Sequence, residues 1–178
     1  MLPLLGFSII NADILQNSIV DTGNMPTEIS LLCEGQTVVS VTKDKLVKNT
    51  AIVYSAKPSS SIGLVDILLV GGKRTQATRN QKFFDPVQKQ WVRACMLWSG
   101  NSLLGDDLKA HPIVVVTTNH SASVKTIQVV LDGNHYLFAD GFLVHNHTPW
   151  KTAAMDRLKK IGKTVTTKTK TLLNQIAG

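Results

Sequence analysis

From residue 33 onward, hydrophobic and polar positions alternate in short runs, and this pattern predicts β-strands. The runs are rich in Val, Ile, Leu and Thr and lie at Thr37–Val41, 48–54, 62–70, 113–118, 125–131 and 136–144. Turn-forming pairs separate them, such as Gly71-Gly72 and Asp132-Gly133. No apolar stripe with the helical period crosses this region. We therefore predict an all-β body over residues 33–146.

The two ends of the chain differ from this body. Residues 1–32 show no clear period, and we interpret them as an N-terminal flank. Beyond Asn146, apolar residues recur at helical spacing among Lys and Arg, namely Ala154, Met155, Leu158, Ile161 and Val165. We predict a basic amphipathic helical tail over residues 147–178, frayed at its end because the Thr-rich stretch 164–171 forms helix poorly. No internal repeat is evident.

Composition limits the class of protein. The 178 residues are 43% hydrophobic, which is enough to bury one core. No apolar run reaches the roughly 18 residues that a membrane-spanning helix needs. No basic residue precedes Lys43, so we expect no secretory signal peptide. With only two cysteines, Cys33 and Cys95, a disulfide scaffold is excluded, and a reducing, cytoplasmic location is favoured.

The positive charge lies almost entirely in the tail. Beyond residue 150 there is one acidic residue, Asp156, and seven basic residues: Lys151, Arg157, Lys159, Lys160, Lys163, Lys168 and Lys170. This segment carries +6 of the formal net charge of +7, so no nucleic-acid-binding surface is predicted for the body. The tail could lie on a membrane surface or on nucleic acid, or it could be a solvated tail without a partner.

The segment richest in chemistry is DGNHYLFADGFLVHN, residues 132–146, where a hydrophobic strand ends in His145-Asn146. The side-chain amide of an asparagine can attack its own carbonyl carbon, which closes a succinimide and cuts the chain after that residue. A preceding histidine can protonate the leaving amine or polarise the carbonyl. We predict these roles for Asn146 and His145, with His135 reaching back across the site. The alternative is a turn asparagine with one strand histidine that faces solvent and another that is satisfied by a backbone carbonyl.

Three separated segments together resemble the Hint (hedgehog/intein) superfamily of self-processing domains. The segments are LLCEGQTVVSV at 31–41, TRNQKFFDPVQKQWVRACMLWSGNSLL at 78–104 and VVLDGNHYLFADGFLVHN at 129–146. The first is similar to the start of an intein, the second to its Thr-x-x-His motif, and the third to its two C-terminal motifs. The resemblance implies a flat, horseshoe-like all-β fold without an inserted endonuclease.

The resemblance also implies roles for residues outside the C-terminal segment. Cys33 would be the first nucleophile, whose thiolate attacks the Leu32 carbonyl and forms a thioester. Thr78 and Gln81 would polarise that bond as oxyanion-hole donors do. The alternative is that these residues have no catalytic role. Cys33 is then a buried structural thiol, Thr78 lies at a strand edge and Gln81 lies at the surface.

Three residues depart from the family pattern. Gln81 replaces the motif histidine and cannot carry a proton, which predicts a slow or absent N-terminal cut. Gln128 stands where many inteins have an acidic residue. His147 follows the terminal Asn in place of the Cys, Ser or Thr that splicing needs. We therefore expect cleavage after Asn146 rather than splicing.

Two functions follow from these residues. The first is a self-processing domain that acts once on its own flanks, 1–32 and 147–178, with no cofactor and no small-molecule substrate. The second is a degenerate Hint fold that no longer cuts and serves as a binding or scaffold module. A metal site on His145 and His147 is a weaker alternative, because no Cys or carboxylate joins them at ligand spacing.

Overall fold

The computed structural model describes residues 13–42, 45–133 and 135–146, and within them the chain is built of strands. The strands are β1 (Ile14–Leu15), β2 (Ile19–Asp21), β3 (Pro26–Glu28), β4 (Thr37–Val41), β5 (Lys48–Leu69), β6 (Arg74–Thr78), β7 (Lys82–Asp85), β8 (Gln90–Arg93), β9 (Ser102–Leu104), β10 (Ala110–Leu131), β11 (Tyr136–Ala139) and β12 (Phe142–His145). Two 3-10 helices cover Ile29–Leu31 and Ala94–Met96. The predicted all-β class is confirmed. The predicted helical tail lies outside the described residues.

The strands form two antiparallel sheets. In the first, the order is β1-β10-β5-β4, with β6 added to β5 and β9 added to β10. In the second, the order is β3-β2-β11-β12-β7-β8. None of the helices in the described ranges is long and apolar enough to cross a membrane.

The first sheet is built on a ribbon of two 22-residue strands, β5 and β10. The sequence predicted two separate strands in each of these segments. The polar stretches between the predicted strands are also extended, since Ser59 pairs with Thr126 and Lys57 with Gln128 across the ribbon. Ladder hydrogen bonds join backbone groups and do not depend on side-chain polarity. The hydrophobic pattern therefore could not reveal these connecting stretches.

The hairpin of β11 and β12 is buried on both faces. Leu137 and Val144 belong to the main core, whereas Tyr136 and Leu143 belong to a second, smaller hydrophobic cluster. Burial on both faces explains why the sequence of this segment is an almost unbroken run of apolar residues. The hairpin also brings the end of β12 beside the start of β11, with His145 opposite Tyr136.

The predicted single strand over 136–144 is interrupted by a tight turn at Asp140-Gly141. Both residues have positive φ angles, 52° and 80°, as a type I′ hairpin loop requires. The Asp140 carboxylate accepts hydrogen bonds from the Ser18 hydroxyl and the Ile19 backbone N–H, both at 2.8 Å. Asp140 is thus a turn residue that also ties the hairpin to β2.

Residues 13–32 belong to the folded body. In β1, Ile14 pairs with Ile127 of β10, and in β2, Val20 pairs with Ala139 of β11. These strands contain only two or three residues, which is too short for a hydrophobic period to show. The predicted boundary between flank and domain at residue 33 therefore does not separate two packed units. Whether the chain is cut there stays a prediction.

The two halves of the body repeat one backbone path, which the sequence did not reveal. A carbonyl before each 3-10 helix accepts from the first N–H of that helix in the same way, since Ile29 N donates to Ser18 O at 2.8 Å and Ala94 N donates to Gln81 O at 2.7 Å. Each helix ends in the same bond, Leu32 N to Ile29 O and Leu97 N to Ala94 O, both at 3.2 Å. Because backbone groups make these bonds, the two halves can share this path although their side chains differ.

The repeat places Cys33 and Trp98 at equivalent positions. Cys33 N donates to the Gln36 side-chain oxygen at 2.7 Å, and Trp98 N donates to the Asn101 side-chain oxygen at 3.1 Å. Both residues begin an exposed turn that follows a 3-10 helix. The turn at Cys33 is therefore a standard element of this fold, present twice.

We expect Asp85→Ala to destabilise the body strongly. The buried Asp85 carboxylate accepts four hydrogen bonds, from the backbone N–H groups of Val87, Gln88 and Ser102 and from the Asn101 amide. Losing these bonds would leave buried donors unpaired and lower the free energy of unfolding by about 3 kcal/mol. Urea denaturation at neutral pH measures this loss. Asp21→Ala, at an exposed aspartate, is the control and should cost little.

The same carboxylate predicts acid sensitivity. Burial acts to raise the pKa of Asp85, but the four hydrogen bonds outweigh it and hold the pKa below its ordinary value of 3.8. A carboxyl with a depressed pKa contributes stability above its unfolded-state pKa and loses it as the pH falls through its folded-state pKa. The Asp85→Ala variant should therefore lose less stability than the wild type when the pH is lowered below about 4. Equal losses would contradict this role.

Candidate functional site

Asn146 lies fully buried at the end of β12. Its backbone N–H donates to the His135 carbonyl at 2.8 Å. Both polar atoms of its side chain, Oδ1 and Nδ2, are buried and have no hydrogen-bond partner among the described residues. A buried amide without partners costs free energy, so a folded protein retains one only for a reason. The unpartnered amide makes Asn146 the focus of the candidate site.

The hairpin register places His135 beside Asn146. His135 directly precedes β11 and has a φ of 62°, in the left-handed region that few non-glycine residues adopt. Its carbonyl fixes the backbone of Asn146 through the bond just described. The structure thus brings His135, His145 and Asn146 together through their backbones, and their catalytic roles stay a prediction.

Gln81, which directly precedes β7, joins this group. Its side chain is buried, and its Nε2 donates to the His145 carbonyl at 3.1 Å and to the Lys82 carbonyl at 3.2 Å. Its Oε1 is buried without a partner in the described part of the chain. The expectation of a surface glutamine does not hold. A glutamine here can hold the His145–Asn146 peptide group in place but cannot donate or take a proton from it.

Thr78 lies one turn before Gln81 and faces the N-terminal part of the body. Gln81 N donates to Thr78 O at 3.1 Å, and the Thr78 hydroxyl donates to the Asp13 carbonyl at 2.9 Å. Thr78 is fully buried, at the end of β6, whose strand partner in the described residues is β5. Its hydroxyl therefore polarises the peptide group of Asp13 in this structure.

Asp13 is a buried acid that the sequence did not single out. Its carboxylate accepts from the Ser59 hydroxyl at 2.9 Å and from the Thr126 hydroxyl at 3.4 Å. Burial raises the pKa of Asp13, and the two hydrogen bonds offset only part of that rise. Asp13, Thr78 and Gln81 line one small cavity of about 10 Å³. No sequence signal marked Asp13, because its burial depends on strands far apart in the chain.

The His145 ring packs in a group of three aromatic rings. Its centroid lies 5.3 Å from the Trp91 ring and 5.3 Å from the Tyr136 ring, and these two rings lie 4.8 Å apart. Trp91 comes from β8 and Tyr136 from β11, on either side of the β12 strand that carries His145. Strands on both sides of β12 therefore supply the rings that contact the imidazole.

Cys33 is not part of this group. It lies exposed in its turn, and its thiol donates to the Leu31 carbonyl at 3.7 Å. None of its described hydrogen bonds reaches Thr78, Gln81 or the three residues at the end of the hairpin. The expectation of a buried structural thiol is also wrong. Its predicted role as a nucleophile stays a prediction.

Within residues 13–42, 45–133 and 135–146, no three His, Cys, Asp or Glu side chains are placed to hold a metal ion. The alternative metal pair includes His147, which lies outside the described residues. Cofactor binding was not predicted from the sequence.

Solved structures of inteins and of an intein-like domain are similar to this chain. The bacterial intein-like domain from Clostridium thermocellum has a TM-score of 0.68 at 18% identity, over 75% of this chain and 98% of that chain. The DnaB intein from Synechocystis sp. PCC 6803 has a TM-score of 0.66 at 16% identity, over 76% of this chain and 99% of that chain. The gp41-1 intein has a TM-score of 0.61 at 21% identity, over 75% and 98%.

Sequence comparisons give no further assignment, since no family model and no curated protein matches the chain. The share covered by these structures, 75% of the chain, is larger than residues 33–146 alone could supply. This agrees with the pairing of β1 and β2 inside the sheets. The chain therefore has the Hint fold, the all-β architecture of inteins and bacterial intein-like domains.

Proposed function

We propose that this chain is a self-processing domain that cuts its own backbone after Asn146. The observation that carries the proposal is the fully buried Asn146 side chain, whose amide has no partner in the described residues and follows directly on His145. The Hint fold supports self-processing as the general class of activity. The flanking chain is the substrate, so each molecule reacts once.

The proposed reaction is an intramolecular substitution. The Asn146 side-chain nitrogen attacks the Asn146 carbonyl carbon and forms a carbon–nitrogen bond. The peptide bond to His147 breaks, the attacking nitrogen loses one proton, and the leaving nitrogen gains one. The products are a body that ends in a C-terminal succinimide and a free segment of residues 147–178. No external oxidant, metal or cofactor enters this balance.

Neighbouring residues have distinct roles in the proposed reaction. His145 supplies the proton to the leaving nitrogen, because imidazole is the side chain best suited to proton transfer near neutral pH. Gln81 holds the peptide group before Asn146, and the His135 carbonyl holds the Asn146 N–H. Two fixed points on the backbone restrict the attacking geometry, which lowers the entropic cost of ring closure.

Full-length protein incubated at neutral pH, with time points read by intact mass, tests the proposal. We expect loss of the mass of residues 147–178 and a body whose mass is lower by one water than that of a free C-terminal asparagine. Later hydrolysis of the succinimide should restore that water. A chain that keeps its full mass throughout would instead support the scaffold alternative. Ligation of the two flanks is not expected, because His147 offers no second nucleophile.

The N-terminal thioester step is tested separately with Cys33→Ala. We expect release of residues 147–178 to continue unchanged, because Cys33 makes no described hydrogen bond to the residues around Asn146. Any cut between Leu32 and Cys33 that added thiol induces should disappear. Cys95→Ala, at the second free thiol, is the matched control and should change neither cut. Loss of both cuts in Cys33→Ala would show that the two steps are coupled.

A further inference from the structure

The proposed proton donor, His145, lies on an aromatic surface made by three residues of the second hydrophobic cluster: Phe84, Trp91 and Tyr136. Two rings of this surface contact the His145 imidazole, whereas one described ring of the main core, Phe142, contacts His111. Trp91 is partly buried, whereas Tyr136 is buried. Nothing in the proposed reaction itself uses these rings.

We propose that Trp91 is a positioning residue, which fixes the orientation of the His145 imidazole toward the bond after Asn146. This inference rests on the proposed function and adds a residue to it. Trp91 acts through His145 and takes no part in bond making. Its ring meets the imidazole edge to face, at 75° between planes and 5.3 Å between centroids.

The contact geometry explains how one ring can fix another. An edge-to-face aromatic pair at this distance is attractive beyond its buried area and depends on the angle between the rings. Tyr136 contacts the same imidazole at 56°, so two differently tilted rings limit its rotation about the side-chain bonds. A proton donor held in one orientation spends more time within reach of its acceptor.

The strand order explains why Trp91 is available for this role. In the second sheet, β7 lies between β12 and β8, and its Phe84 pairs with Trp91. Trp91 therefore reaches over the neighbouring strand to meet His145, whereas Phe84 contacts Trp91 but has no described ring contact with His145. The two aromatic residues share one cluster and differ in this contact.

This difference provides a matched pair of variants. In full-length protein, Trp91→Leu should slow the release of residues 147–178 by about 10- to 100-fold, because the imidazole loses its fixed orientation. Phe84→Leu should release the segment at close to the wild-type rate, although it removes an aromatic ring from the same cluster. Trp91→Phe, which restores an aromatic ring, should recover much of the rate. Equal slowing in both leucine variants would overturn the inference in favour of a general packing effect.

A spectroscopic measurement separates this inference from the proposed function. In an Asn146→Ala background, which cannot be cut by the proposed route, the His145 ring resonances should move on Trp91→Leu and far less on Phe84→Leu. Unfolding by urea shows whether each variant remains folded. If the wild type never releases its tail, the proposed function fails, and the resonances still report the ring contact. If the wild type cleaves and Trp91→Leu cleaves equally fast, only the inference about Trp91 fails.

Discussion

Asn146→Ala is expected to abolish the release of residues 147–178. Alanine has no side-chain nitrogen, so no succinimide can form and the proposed reaction has no route. The residual rate should fall to that of an ordinary peptide bond, a loss of more than about 1,000-fold. Intact mass over several days measures the remaining full-length chain. The fold should persist, because the side chain that is removed makes no described hydrogen bond.

Two further variants test whether the effect is specific to cyclisation of Asn146. Asn49→Ala changes an exposed asparagine of β5 and should cleave like the wild type. Asn146→Gln lengthens the side chain by one carbon, so it can cyclise only to a six-membered ring and should be much slower. Continued release of the same segment from Asn146→Ala would contradict the cyclisation mechanism, even though the fold is unchanged.

His145→Ala is the second large expected effect. Removing a positioned acid or base lowers a rate by about 10²- to 10⁴-fold, and here the leaving amide nitrogen needs a proton to depart. The cleavage rate, followed by intact mass at several pH values, should drop throughout the neutral range. The fold should survive, since His145 is only partly buried.

A conservative variant distinguishes proton transfer from packing. His145→Gln keeps a hydrogen-bonding side chain of similar length but cannot carry a proton, so it should be nearly as slow as His145→Ala. His120→Ala changes an exposed histidine of β10 and serves as the control with no expected effect. A His145→Gln variant that cleaves at the wild-type rate would show that the imidazole acts only by packing.

The C-terminal half of the candidate site was the part that could best be predicted from the sequence. The hydrophobic run that ends in His145-Asn146 was predicted as one strand over 136–144, and the Asp140-Gly141 turn inside it makes a hairpin whose two ends meet. The structure has this hairpin and buries Asn146 at its end. Local chain geometry was sufficient here, because the interacting residues are joined by a short turn.

The N-terminal half of the candidate site was predicted much less well from the sequence. Residues 13–32 contribute three strands of two or three residues, which have no measurable period. β1 and β2 pair with β10 and β11, which lie far away in the chain. Cys33 stood out by its residue type and by its flanking motif, but its exposed turn recurs around Trp98 as a part of the fold. The residue type of Cys33 alone does not show how its turn is placed relative to the candidate site.

By itself, the sequence determined the all-β class, the resemblance to Hint domains and the choice of His145-Asn146 as the candidate pair, because each depends on neighbouring residues or on local alternation. Only the tertiary structure decided that Asp13 is buried beside Thr78, that Gln81 holds the His145 carbonyl and that Trp91 meets the His145 ring. These contacts join strands that are distant along the chain. Backbone pairing between such strands is nearly independent of side-chain type, so the assembled sheets were needed to locate them.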